Sequence, residues 1–160
     1  MITVEEALKG KGIAIGPRLK DSVREADYQI ILGEKVTAAW QASFSVDGSY
    51  HAGIVAVTTH RLLCCSCVAN NLLVATLPYS ECIGIGAESG RLQKLMPVHC
   101  DGVEVIIKAP GTHIVQIRSK LLSAIEAAPL QKSLDLSPSV FCQSSSERRR
   151  IQAIKSAGKK

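Results

Sequence analysis

The 160-residue chain has no long apolar run, and its longest apolar stretches fall short of the roughly 18–20 residues a helical membrane span requires. Its first residues, Met1-Ile-Thr-Val-Glu-Glu-Ala-Leu8, lack the basic start and apolar centre of a secretory signal and carry two acids instead. The expected location is therefore the cytoplasm. Also missing are a Gly-x-Ser-x-Gly elbow, a P-loop and a metal-binding helix motif. Gly84-Ile-Gly86-Ala-Glu-Ser-Gly90 has glycines after a strand-like run, but no βαβ unit follows to cradle a phosphate. His51, His60, His99 and His113 each fall at a predicted element boundary, outside any pattern of nucleophile and base. The reading is of a protein that is not an enzyme, with no catalytic residue, cofactor or metal.

Six cysteines are present, an even number, yet Cys64, Cys65 and Cys67 crowd one strand-like run and no export signal accompanies them. Reduced thiols are expected. In a regular strand Cys65 and Cys67 share one face and Cys64 takes the other, so the three cannot converge on one ion. A zinc site using His60, His99 or Cys82 would need loops to gather its ligands. Small buried apolar cysteines are the simpler reading.

Acid is scarce at one end only. Residues 1–142 hold thirteen Lys/Arg and thirteen Asp/Glu, whereas residues 143–160 hold Arg148, Arg149, Arg150, Lys155, Lys159 and Lys160 against Glu147 alone. The excess positive charge belongs to an appendage, not to the domain.

Thr3-Val-Glu-Glu6 has the spacing of a capping box and opens a short helix that Gly10-Lys-Gly-Ile-Ala-Ile-Gly16 breaks. Pro17 suits a first helical turn, and Leu19, Val23, Ala26 and Ile30 recur as one apolar stripe, to lie on the β domain as a lid or to be held by a partner. From residue 35 the period changes to two. Val36, Ala38, Trp40, Ala42 and Phe44 fall on one face of a first strand. Asp47-Gly48 turns into a second strand from about His51 to Val57. The polar break Thr58-Thr59-His60-Arg61 is too short for a crossover helix, so a third strand, Arg61–Val68, pairs antiparallel with the second.

Asn70-Asn71 marks the next turn, and Leu72–Leu77 reads as a fourth strand. Glu81–Gly86 reads as a fifth, Ser89-Gly90 as a turn, Arg91–Met96 as a sixth and Val103–Lys108 as a seventh. After Pro110-Gly111 a helix carries Ile114, Ile117, Leu121, Leu122 and Ile125 on one stripe until Pro129. The remainder reads as a linker, with Ser144-Ser-Ser-Glu147 able to cap a short helix before the basic tail. The predicted organisation is an N-terminal helical extension over 1–31, a β domain with capping helix over 32–128, and a linker and basic tail over 129–160.

Three short segments carry a family resemblance: Leu32-Gly-Glu-Lys-Val36, Gly53-Ile-Val-Ala-Val-Thr-Thr-His-Arg-Leu-Leu63 and Leu77-Pro-Tyr-Ser-Glu-Cys-Ile83. With seven antiparallel strands closed by one helix, they resemble the bacterial PH-like domains of the YokE-like kind over roughly residues 30–128. The resemblance implies a mainly β fold, a seven-stranded PH-like sandwich or barrel capped by a C-terminal helix, with the N-terminal helix added. It implies binding or assembly through protein partners or a homo-oligomer. Residue by residue, Thr58 or Thr59 can satisfy backbone groups of the turn, Arg61 can hold it or pair with an acid, and Tyr79 can bury its ring. Phosphoinositide-binding members need Lys and Arg between the first two strands, but Ser45-Val-Asp-Gly-Ser-Tyr-His51 offers an acid and neither base. That departure argues against phosphoinositide recognition there.

Two contact surfaces follow. One is apolar, an exposed strand edge or the helix face Leu19, Val23, Ala26 and Ile30. The alternative is an anionic membrane or nucleic acid held by Arg148, Arg149, Arg150, Lys155, Lys159 and Lys160.

Overall fold

A computed structural model describes residues 2–81, 83–147 and 150. Helices α1 (Val4–Gly10) and α2 (Pro17–Gln29) precede four strands, β1 (Val36–Ser45), β2 (Tyr50–Thr58), β3 (Arg61–Val68) and β4 (Asn71–Pro78). Two short strands follow, β5 (Ile83–Ile85) and β6 (Ser89–Gly90). Then come β7 (Gln93–Cys100), β8 (Val103–Pro110), helix α3 (Gly111–Ala127), a 3-10 turn (Ala128–Leu130) and β9 (Ser139–Gln143). The fold is mainly β. One curled antiparallel sheet runs in the order β5-β7-β8-β1-β2-β3-β4-β9, with β6 attached to β7.

The curled sheet encloses α3. Trp40, Phe44, Val55, Leu62, Leu77, Met96 and Ile107 face inward onto Ile114, Ile117 and Leu121 of that helix. The α3 stripe is thus buried where the period of three and four placed it. Leu122, included in the predicted stripe, is half exposed.

The outer face of β1–β4 is buried as well. Val4, Leu8, Leu19, Val23 and Ala26 from the first two helices pack on Ala39, Ile54, Ala56, Leu63, Cys65, Leu72 and Val74. Strands covered on both sides read as continuous apolar runs, which explains the density of residues 52–67. Helices α1 and α2 are therefore part of the packed body, and the lid reading of α2 is the one realised within this chain. Ser22 ties the helix to the sheet, accepting from the Cys67 N–H at 2.9 Å.

Several boundaries shift. Val36 pairs with Thr58 and Ala38 with Val57, so a bulge at Thr37 turns Val36 to the outer cluster while Ala38, Trp40, Ala42 and Phe44 stay inside. The β3–β4 turn is made by Ala69 and Asn70, both at positive φ, one residue earlier than Asn70-Asn71 suggests. Ser89-Gly90 pairs with Leu95 and Lys94 as well as turning the chain. Residues 139–143, read as linker, form β9 on the edge of β4. Gly53 is required by proximity: a Cβ there would meet the Cys65 carbonyl oxygen.

Among the described residues no helix is long and apolar enough to cross a membrane. Because β3 is covered on both faces, Leu62→Ala and Leu63→Ala, which point opposite ways, should each lower the unfolding free energy by about 2–5 kcal/mol in urea titrations.

Candidate functional site

The motif segments meet at one buried polar cluster. Thr58 ends β2, Arg61 begins β3, Glu34 precedes β1 and Tyr79 follows β4, so four chain segments arrive at one end of the sheet. Glu34 is wholly buried and Arg61 nearly so. The guanidinium grips the carboxylate with two bonds, Nε to Oε2 at 2.8 Å and Nη2 to Oε1 at 2.9 Å. Its remaining donors reach the Gln29 carbonyl at 2.5 Å and the Thr76 hydroxyl at 3.2 Å.

Thr58 completes the turn. Its hydroxyl donates to Glu34 Oε2 at 2.6 Å and accepts from the N–H groups of His60 and Arg61. The Tyr79 hydroxyl lies 2.7 Å from the Arg61 carbonyl and 3.0 Å from that of Thr58. Burial first, and the Glu34 carboxylate second, push the phenol well above its ordinary range. Every group here is matched to a protein partner, and the arrangement holds backbone in place.

The three clustered thiols are buried. Cys64 lies inside the sheet and Cys65 and Cys67 outside it, as strand alternation requires. Burial, with a smaller contribution from Cys65, pushes the Cys64 thiol far up, so it stays protonated. The ring nitrogens of His60 lie 2.7 Å from the Thr59 hydroxyl and 2.7 Å from the Lys132 carbonyl, occupied by protein groups. Among the described residues no group of three His, Cys, Asp or Glu is placed to hold a metal. Cys82 lies outside them.

The two predicted contact surfaces fare differently. Leu19, Val23 and Ala26 are buried against the chain's own sheet, and Ile30 is partly buried beside them, so this face is covered rather than free. The amphipathic period found the stripe but could not show that the outer sheet face would fill it. Arg150 is exposed. Arg148, Arg149, Lys155, Lys159 and Lys160 lie outside the described residues.

The strand edge is present, in a segment whose composition suggested a linker. β9 pairs with β4 from Thr76↔Ser139 to Leu72↔Gln143, and among the described residues no strand pairs with its other side. Ser139, Val140, Phe141 and Cys142 are all exposed, with Phe141 at 50%. The capping box beyond it forms, Glu147 accepting from the Ser144 N–H at 3.2 Å while Ser144 accepts from the Glu147 N–H at 3.4 Å.

Removing one half of the buried pair strands the other. Glu34→Ala or Arg61→Ala should each cost about 3–5 kcal/mol in urea unfolding, while Glu34→Leu with Arg61→Met should cost clearly less than the sum. Tyr79→Phe should cost about 1 kcal/mol at neutral pH. With its folded pKa raised, Tyr79 stays neutral after the unfolded phenol ionises near pH 10, so stability falls as pH rises past about 10. In Tyr79→Phe that alkaline loss should be smaller than in the parent protein, read from unfolding midpoints between pH 9 and 11.

No protein-family model, curated protein or solved structure matches this chain.

Proposed function

We propose that the protein is a non-enzymatic PH-like module for assembly, and that it binds a second copy of itself through the outer edge of β9. Support for the PH-like reading comes from the strand order β5-β7-β8-β1-β2-β3-β4, with α3 following β8 across the inner face. It comes also from the motif residues Glu34, Thr58, Arg61 and Tyr79 acting together as framework.

The observation that carries the assembly reading is the edge itself. An open strand edge presents unpaired backbone groups, and proteins that avoid pairing there use lysine, proline or a bulge. Ser139-Val-Phe-Cys-Gln143 has no charge and no proline, and it pairs with β4 without a shift in register. Antiparallel pairing of two such edges is two-fold symmetric, so one surface serves both copies. Phe141 would lie on the same face as Phe141 of the second copy, with Val140 and its copy on the opposite face, and both pairs would add apolar area to the backbone ladder. A five-residue edge is shorter than a permanent interface needs, so association is reversible and concentration-dependent.

Sedimentation velocity over a concentration series should show a mass rising from one chain toward two. Phe141→Lys, at an exposed position, should keep the fold and hold the protein as a monomer, whereas removing residues 148–160 should leave the association intact. A parent protein that stays monomeric throughout, or a Phe141→Lys variant that still associates, would refute the reading.

A further inference from the structure

A second surface, independent of β9, lies where β1 and β8 part. β8 pairs only with Ser43, Phe44 and Ser45 of β1, then gives way to α3 at Gly111. The loop after α1 approaches the same seam. Between them is a cleft of about 560 Å³ whose lining includes Lys11, Trp40, His113, Gln116, Ser119 and Lys120. His113, Gln116 and Lys120 stand three and four residues apart on α3 and so share one helix face.

The lining is rich in donors and has no acid. The Lys11 ammonium sits 3.4 Å from the centre of the Trp40 ring, and the Trp40 indole N–H donates to Gln116 Oε1 at 3.0 Å. That bond fixes the Gln116 amide so that its nitrogen is left to donate elsewhere. His113 Nδ1 is buried with no hydrogen-bond partner. Among the described residues neither Lys11 nor Lys120 has a carboxylate within ion-pair distance, and no Asp or Glu lines the cleft. Burial, and then the ammonium of Lys120, lower the Lys11 pKa to about 8. Two cations are held near one another with no carboxylate among the described residues to balance them.

We propose that this cleft binds a dianionic phosphate monoester group, with Lys11 and Lys120 meeting its charge and Gln116, Ser119 and His113 donating to its oxygens. A carboxylate would neutralise only one of the two ammonium groups, whereas a phosphate monoester carries close to two charges at neutral pH. Lysines act as point charges that suit phosphate without demanding the planar geometry of a guanidinium fork. The volume lies within the range of small-ligand sites. A soluble phosphorylated compound and a lipid headgroup share this chemistry.

Trp40 is the only tryptophan, which makes its emission a reporter of the cleft. The parent protein should show a saturable change with phenyl phosphate at constant ionic strength. Lys11→Gln and Lys120→Gln should each weaken the apparent affinity by about tenfold or more, while Lys132→Gln, which lines another cleft, should not. Binding should also weaken as pH rises past about 8, where Lys11 loses its proton. His113 and Lys120 on α3 are the other titratable groups lining this cleft.

Vesicles of phosphatidylcholine with and without phosphatidic acid separate the two sources. A response to phenyl phosphate alone assigns a soluble ligand. A response to phosphatidic acid vesicles with the same dependence on Lys11 and Lys120 assigns a headgroup. No saturable response to either probe, or one unchanged in both lysine variants, overturns the proposal.

Discussion

The Glu34–Arg61 pair is the interaction on which the placement of the other elements depends. It joins the approach to β1 with the start of β3, and its outer bonds add the end of α2 through Gln29 and the body of β4 through Thr76. A buried charge pair is not a cheap source of stability, because both ions lose their water. Its value here is specificity of arrangement. A guanidinium with its donors placed and a carboxylate with both oxygens engaged admit one geometry, and that geometry sets the turn at Thr59-His60. Once the turn is set, the β2–β3 register follows, and with it the inward and outward assignment of every residue in both strands.

That register decides which surfaces the molecule keeps for itself. With Ala56, Leu63, Cys65 and Val74 directed outward, the sheet would expose a broad apolar face were α1 and α2 not laid across it. Two helices cover that face, so the amphipathic stripe of α2 is consumed by the fold. What stays open lies at the margins of the sheet. One margin is β9, whose residues 139–142 are exposed and whose outer edge no strand pairs among the described residues; the other opening is the seam where β8 turns away from β1 and α3 begins. The surfaces proposed for assembly and for ligand binding are thus separate places, both outside the buried framework.

Much of this was legible in the residues. Alternation placed β1, apolar runs between turn signals placed β2 to β4, the three- and four-residue steps placed α2 and α3, and Thr3 caps α1 as its half of the predicted capping box, its hydroxyl accepting from the Glu6 N–H at 3.1 Å. Of the two roles expected of Arg61, holding the turn or pairing with an acid, the ion pair forms, and Tyr79 buries its ring as expected. The acid was not legible as Glu34, because nothing local relates residues 27 apart in sequence. Val36 went to the wrong face because a one-residue bulge reverses alternation without a mark in composition. β9 was read as linker for a physical reason: a strand exposed on both sides has no alternation to display, and its partner edge exists only after β4 is placed. The cleft was invisible for a similar reason, since Lys11, Trp40 and Lys120 come from three distant segments and have in common only their position at the seam.

Amide hydrogen exchange at low and high protein concentration tests the assembly account most directly, because it reads the edge itself. The account predicts that exchange within residues 139–143 slows as concentration rises, at the amides directed away from β4, while β2 and β3 keep the same protection throughout. Exchange in β9 that is indifferent to concentration, or slowing confined to α2 or to the basic tail, would contradict it.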